Sequence, residues 1–158
     1  MKNQFWAILA LAVAGASLTL SLGSRAAQVV HADSTPTTCD ATTLNGAYGY
    51  TLSGYAYDAN YNIYISAAVG RFVADGNGGV TGSDSMNFDS SIFKRKITGT
   101  YTINSDCTGS VTLTYDDGTN KAQTVHGDII AVNNGKEVNF AQTDAPFMVT
   151  AVMKKVNQ

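Results

Sequence analysis

Glutamate is almost missing from this chain. Eleven of its twelve acidic residues are aspartate, and Glu137 is the exception. Aspartate suits turns because its short carboxylate bonds nearby backbone amides, so the bias describes a turn-rich chain poor in helix. Histidine is equally scarce: besides His31 there is only His126. A lone histidine builds no recognisable metal triad, and no G-x-S-x-G stretch offers a nucleophile. The single tryptophan, Trp6, lies in the first apolar run, so nothing downstream resembles an indole platform for sugars. Ten basic residues against twelve acidic ones give a net charge of −2, and the bases form no stripe. That balance argues against nucleic acid as a partner. No apolar run after Leu22 approaches the length of a membrane span. With no phosphate loop and no paired-cysteine redox motif, nothing calls for a cofactor or a metal.

What is present begins with a leader. Lys2 supplies a positive start, Phe5 to Leu22 an apolar stretch, and Ser24-Arg25-Ala26 a small-residue exit. These are the three parts of a secretory signal, and residues 1–32 are read as one, cut after Ala26 or Ala32. The alternative, an uncleaved anchor, is disfavoured by Gly15, Ser17, Thr19 and Ser21 within the run. No cysteine follows closely enough for a lipid anchor. The chain is therefore expected to be secreted or periplasmic, with no membrane contact once the signal is gone. Cleavage after Ala32 removes Lys2 and Arg25 and leaves a net charge of −4 on about 125 residues, enough for one domain with its own core.

Cysteine occurs twice, at Cys39 and Cys107. In an exported chain an even pair most simply means a disulfide. Residues 33–46 form a polar lead that carries Cys39, and 47–158 form the folded domain.

That domain reads as strand after strand. Alternation is cleanest at 97–103, where Ile97, Gly99, Tyr101 and Ile103 share one face and three threonines the other. Val111, Leu113 and Tyr115 repeat the pattern. Strands are expected at 47–57, 61–74, 80–88, 94–104, 110–115, 121–133, 137–143 and 147–156. The breaks between them, such as Asp75-Gly-Asn-Gly-Gly79 and Asn133-Asn-Gly135, carry turn chemistry. Eight sequential strands with short turns imply an all-β fold: an eight-stranded antiparallel up-and-down barrel, whose closure removes exposed edges. A two-sheet β-sandwich is the alternative. In such a meander every second turn lies at the same end. The lead with Cys39 and the turn with Cys107 then share an end, as a disulfide requires. The opposite end collects Asp58, Asp89, Asp116, Asp117 and Asp144, and the stretch Asp89 to Arg95 reads there as a long loop holding Ile92 and Phe93. This rim is the expected mouth.

Several stretches pose as sites. The segment 75–79 begins like an EF-hand loop but lacks the distal glutamate and flanking helices, so it reads as a hairpin turn. The rim aspartates fit turn geometry better than a cation site. Tyr48, Tyr50, Tyr55, Tyr57, Tyr61 and Tyr64 cluster in the first two strands, where core lining is the simplest use of them. The face shift after Leu52 predicts a bulge near Ser53-Gly54. His126 and Asp128 share a strand face, and a structural histidine is the simpler reading there. Asp84 alternates with Val80, Met86 and Phe88, which points it inward, whereas a register slip at Gly82 would turn it to solvent; buried, its carboxyl would have a raised pKa and be a candidate functional acid.

Taken together, Leu44 to Tyr48, Gly70 to Gly78, Gly99 to Ile103 running into Asp106 to Gly109, Gly135 to Val138, and Phe140 with Thr143-Asp144 resemble a family of small secreted bacterial proteins of uncharacterised function. The barrel itself is similar in architecture to allene oxide cyclase-like and dirigent-like barrels and, more distantly, to calycins. No cyclase site residue carries over, and architecture alone does not assign function.

The expected function is binding of a small apolar molecule, or service as an interaction module, with Tyr48, Tyr50, Tyr101 and Phe140 on the wall and Asp84 among them. Two alternatives stand beside it: a cofactor-free cyclase or isomerase in which Asp84 or a tyrosine does acid/base work, and a pocketless surface or matrix-interaction protein. A cavity of several hundred Å³ would favour the first two of these three readings. An Asp84 lacking an ion-pair partner would favour catalysis over binding.

Overall fold

The structure, a computed structural model, describes residues 38–119 and 121–156. The expected signal, 1–32, and the lead as far as residue 37 lie outside the described residues. A 3-10 turn, Ala41–Thr43, precedes eight strands: β1 Asn45–Tyr57, β2 Ile63–Asp75, β3 Gly79–Phe88, β4 Ser91–Ile103, β5 Thr108–Asp116, β6 Gln123–Val132, β7 Glu137–Gln142 and β8 Phe147–Lys155. Each pairs antiparallel with the next, and β1 closes the ring on β8. The fold is the up-and-down barrel, not the sandwich.

Period-two alternation decides which side chains fill it. Along β1, Ala47 and then Tyr48, Tyr50, Leu52 and Ala56 are buried, while Thr51, Ser53, Tyr55 and Tyr57 are exposed. The alternation runs unbroken from Tyr48 to Tyr57, and pairing with β2 is continuous from Asn45↔Asp75 to Tyr57↔Ile63. The expected bulge at Ser53-Gly54 is therefore absent. Gly54 simply takes an inward position, where a Cβ would lie 2.6 Å from the Val149 backbone. Tyr55 and Tyr57 face outward instead, and Tyr57 stacks on the exposed Tyr61. The outer face of β2 adds Ile63, Ile65 and Val69, all well exposed.

A second correction concerns residues 89–95. Asp89 and Ser90 take φ of 45° and 69°, forming a two-residue turn whose left-handed backbone suits a twisted hairpin without glycine. The Asp89 amide donates to the Ile65 carbonyl at 2.9 Å, and β4 starts at Ser91. Ile92 and Phe93 are thus strand residues, opposite Asn87 and Met86. Ile92 faces out, and Phe93 turns inward.

The turn at 75–79 is a hairpin corner. Gly76 and Gly78 have φ of 78° and 96°, which side chains rarely adopt. Asp75 Oδ1 accepts from the amides of Asn77 and Gly79 at 2.7 and 2.8 Å, and these bonds hold its carboxyl below the usual range. The aspartate is used up in fixing the turn.

At that end the chain plugs its own barrel. Asp40 caps the 3-10 turn, accepting from the Thr42 amide at 2.8 Å. Leu44 drops into the core. The Tyr101 hydroxyl lies 2.9 and 2.7 Å from the carbonyl oxygens of Ala41 and Leu44, and the fully buried Tyr48 donates to the Gly135 carbonyl at 2.6 Å. The Cys39–Cys107 disulfide fastens this plug to the turn between β4 and β5, with Cα atoms 5.0 Å apart.

Closing a loop over a separation of 68 residues stabilises by about 4 kcal/mol on the chain-entropy account. Replacing both cysteines by serine is expected to lower unfolding free energy by about that amount, read from urea titrations. A midpoint unchanged by the double substitution would show that the plug holds without its staple.

Candidate functional site

The barrel interior falls into two halves. Below, near the plug, aromatic and aliphatic side chains fill the space: Tyr48 stacks on Phe72 with centroids 5.2 Å apart. What remains there is a cavity of about 50 Å³ between residues such as Leu44, Ile97, Tyr101, Val138 and Phe140. That is room for little more than water.

Midway up sits a charged pair. Asp84 on β3 and Arg95 on β4 are directly paired residues whose side chains both point into the barrel. Arg95 Nε donates to Asp84 Oδ1 at 2.9 Å and Nη2 donates to Oδ2, a two-pronged contact that fixes both planes. The Asp84 side chain is 0% exposed and that of Arg95 11%. Tyr50 of β1 donates its hydroxyl to the same Oδ2 at 2.7 Å, reaching past Gly70. A Cβ on Gly70 would come within 2.7 Å of the Tyr50 ring and 2.6 Å of the Asp84 Cβ, so only glycine leaves the ring its path. The guanidinium lies 4.0 Å above the Tyr115 ring, where the negative face of the ring faces the cation. Burial, reinforced by the bond to Asp84 and its charge, pushes the Tyr50 phenol far above its usual range. Burial likewise pushes Tyr115 up to about 12, with Arg95 opposing and Asp84 adding. Both phenols therefore stay neutral donors across the physiological range.

Above this pair the interior opens. A cavity of about 320 Å³ is lined by Met86, Phe88, Phe93, Arg95, Tyr115, Asp117, Lys121, Gln123 and Phe147. An adjoining lobe of about 280 Å³ shares most of these residues and extends to Leu52, Ser66, Phe140, Gln142, Asp144 and Val149. It lies toward the end where β1, β3, β5 and β7 terminate, opposite the plug. The floor is Arg95 over Tyr115, and Phe88, Phe93 and Phe147 supply apolar surface.

The five residues singled out from sequence all line the inside of the barrel, at different heights. Tyr48 and Tyr101 serve the plug. Tyr50 and Asp84 form the central layer. Phe140 borders both the small lower cavity and the upper lobe. The upper cavity depends mostly on residues not singled out as site candidates from sequence, Arg95, Tyr115, Ser66, Phe88 and Phe147. Arg95 was readable: the inward series Ile97, Gly99, Tyr101 extends backward through Arg95 to Phe93.

The rim aspartates hold turns. Asp58 accepts from the amides of Asn60 and Asn62, and Asp116 from that of Gly118. Among the described residues no group of three or more His, Cys, Asp or Glu side chains is placed to hold a metal ion. His126 does not use Asp128. Its Nδ1 lies 2.9 Å from Asp144 Oδ1, and its amide donates to Oδ2 of the same carboxylate, which is held below its usual pKa by those bonds. The outward face puts His126 beside the β7–β8 turn, where Asp144 lies.

No protein-family model matches the sequence, and no curated protein matches it. Among solved structures the chain is similar to a redesigned β-barrel, mFAP1, solved bound to DFHBI. The TM-score is 0.52 at 15% identity, covering 73% of this chain and 97% of that one. At that identity the likeness is one of fold: both are β-barrels.

Removing one partner of a buried ion pair leaves the other charge uncompensated, at a cost of roughly 3–5 kcal/mol, whereas an apolar pair of similar volume is often neutral. Arg95→Met is expected to destabilise by that amount in urea titrations. Adding Asp84→Leu to it is expected to restore most of the loss. Equal losses in the single and double variants would assign the cost to packing instead of charge.

The raised tyrosines add a pH dependence. Their unfolded values lie near 10, so the folded protein keeps protons that the unfolded chain releases first. Stability is expected to hold below pH 10 and to fall as pH climbs from 10 toward 12. Urea midpoints across that window check this, and a flat profile contradicts it.

Proposed function

We propose that this protein is an exported binding protein for a small, largely apolar molecule, held in the upper cavity. One observation carries the reading: an open cavity of about 320 Å³, walled by phenylalanines, at the end of the barrel opposite a disulfide-fastened plug. Ligand pockets begin at roughly that size and are mostly apolar with a few placed polar groups. The barrel resembled in fold is, by its own description, bound to DFHBI, which supports a ligand-holding use of this architecture. Export rests on the leader at 1–32 and is consistent with the disulfide.

Binding is favoured over acid/base catalysis by the state of Asp84. Its carboxylate is clasped by Arg95 and Tyr50, and no position on it is presented to the upper cavity as a free proton carrier. The pocketless reading loses ground to the cavity, although the exposed Ile63, Ile65 and Val69 on β2 keep a surface-interaction role open beside binding.

Met86→Trp tests the assignment, because Met86 is half-buried, lines both lobes and has room in front of it. An environment-sensitive apolar dye is expected to bind the native protein with one-to-one stoichiometry and the variant at least tenfold more weakly, with melting temperature little changed. Undiminished binding to the variant would place the dye elsewhere and remove the support for this cavity.

A further inference from the structure

Ser66 stands out among the cavity walls. Among the described residues it is one of two buried polar ones, 3% exposed, and its hydroxyl is a buried side-chain group with no hydrogen-bond partner among them. A buried hydroxyl left unpaired is costly, so such a group invites a partner from outside the chain. It lines the upper lobe alongside Phe88, Phe147 and Arg95. Arg95 commits Nε and Nη2 to Asp84, which leaves the N–H groups of Nη1 without a partner among the described residues. Near the floor, the capacity held in reserve is therefore the Ser66 hydroxyl, whose proton has no acceptor among the described residues, and the Nη1 donors of Arg95.

Charge then narrows the ligand. The Arg95 cation is already cancelled by Asp84. At the rim Lys121 is outweighed by Asp117 and Asp144, which also line the two lobes. An anion would leave water for a site with no uncompensated positive charge, and would meet two carboxylates on the way in. A cation would find its carboxylate acceptors at the rim, in Asp117 and Asp144, and would meet the Arg95 guanidinium at the floor. A neutral oxygen acceptor meets neither obstacle.

Resting on the binding role proposed above, we infer that the upper cavity selects neutral apolar carbonyl compounds, such as ketones, aldehydes or esters, whose oxygen accepts from the Ser66 hydroxyl while the apolar body lies among Phe88, Phe93 and Phe147. Selectivity comes from satisfying a donor that otherwise stays unpaired, so an analogue without the oxygen binds less tightly although it fills the same space.

Three naphthalene probes of similar shape separate the possibilities: 2-acetylnaphthalene, 2-ethylnaphthalene and 2-naphthoate, titrated into the purified protein by fluorescence or calorimetry. The acetyl probe is expected to bind about tenfold tighter than either of the others. In Ser66→Ala that preference over the ethyl probe is expected to shrink below threefold, while affinity for the ethyl probe stays the same. Equal binding of acetyl and ethyl probes overturns the carbonyl selectivity and leaves the cavity as a plain apolar site. Preference for naphthoate overturns the charge argument. Binding of none of the three overturns this inference and the binding role together.

Discussion

Pairing of β1 with β8 is the constraint from which the rest follows. Nine residue pairs, from Tyr48↔Lys155 to Ala56↔Phe147, close the sheet. Closure leaves no edge strand, and it gives every inward side chain a fixed set of neighbours across the interior. Eight strands enclose only enough space for side chains or one small ligand. How the chain spends that space decides what it can do. Here large aromatics take the lower half, an ion pair takes the middle, and smaller or peripheral side chains leave the upper half open.

The ion pair has a structural meaning beyond its own bonds. A guanidinium stacked on one phenol and a carboxylate accepting from another make a polar layer between the packed lower half and an open cavity. Such a layer is weak evidence for stability, because the desolvation of both charges offsets much of their attraction. Its clearer contribution is geometric: it fixes Arg95 and Tyr115 as a floor that cannot collapse into the space above.

Much of this was legible in the sequence. Strand alternation and aspartate-glycine turns gave the number and order of the strands, and the position of the two cysteines agreed with their count. Tyr48, Tyr50, Asp84, Tyr101 and Phe140 were readable as inward because each sits in a clear period-two pattern. The cavity was harder to see. Ile92 and Phe93 looked like loop residues because Asp89-Ser90 turn sharply without glycine, which hid the start of β4 and left Arg95 at the edge of the expected strand. Ser66 carries no signal at all in isolation, since a small polar residue fits any strand. The false bulge at Ser53-Gly54 came from assuming that Tyr55 and Tyr57 must be buried. The outside of a barrel accepts aromatics, and the pleat, not hydrophobicity, decides their side.

The position of the plug has a consequence for how the molecule can be tethered. β8 descends from the rim at Phe147 to the floor, where the Val156 amide bonds the Ala47 carbonyl, and Cys39 enters at that same floor. Cys39 and Val156 therefore lie on one side of the barrel, and among the described residues the rim consists of hairpin turns. A tether engineered at residue 38 or residue 156 is thus attached on the side away from the opening. The rim turns take no part in the plug, so new recognition can be grafted at this end without touching the Cys39–Cys107 staple, provided the aspartates that fix the turns and the Asp144–His126 bonds are kept.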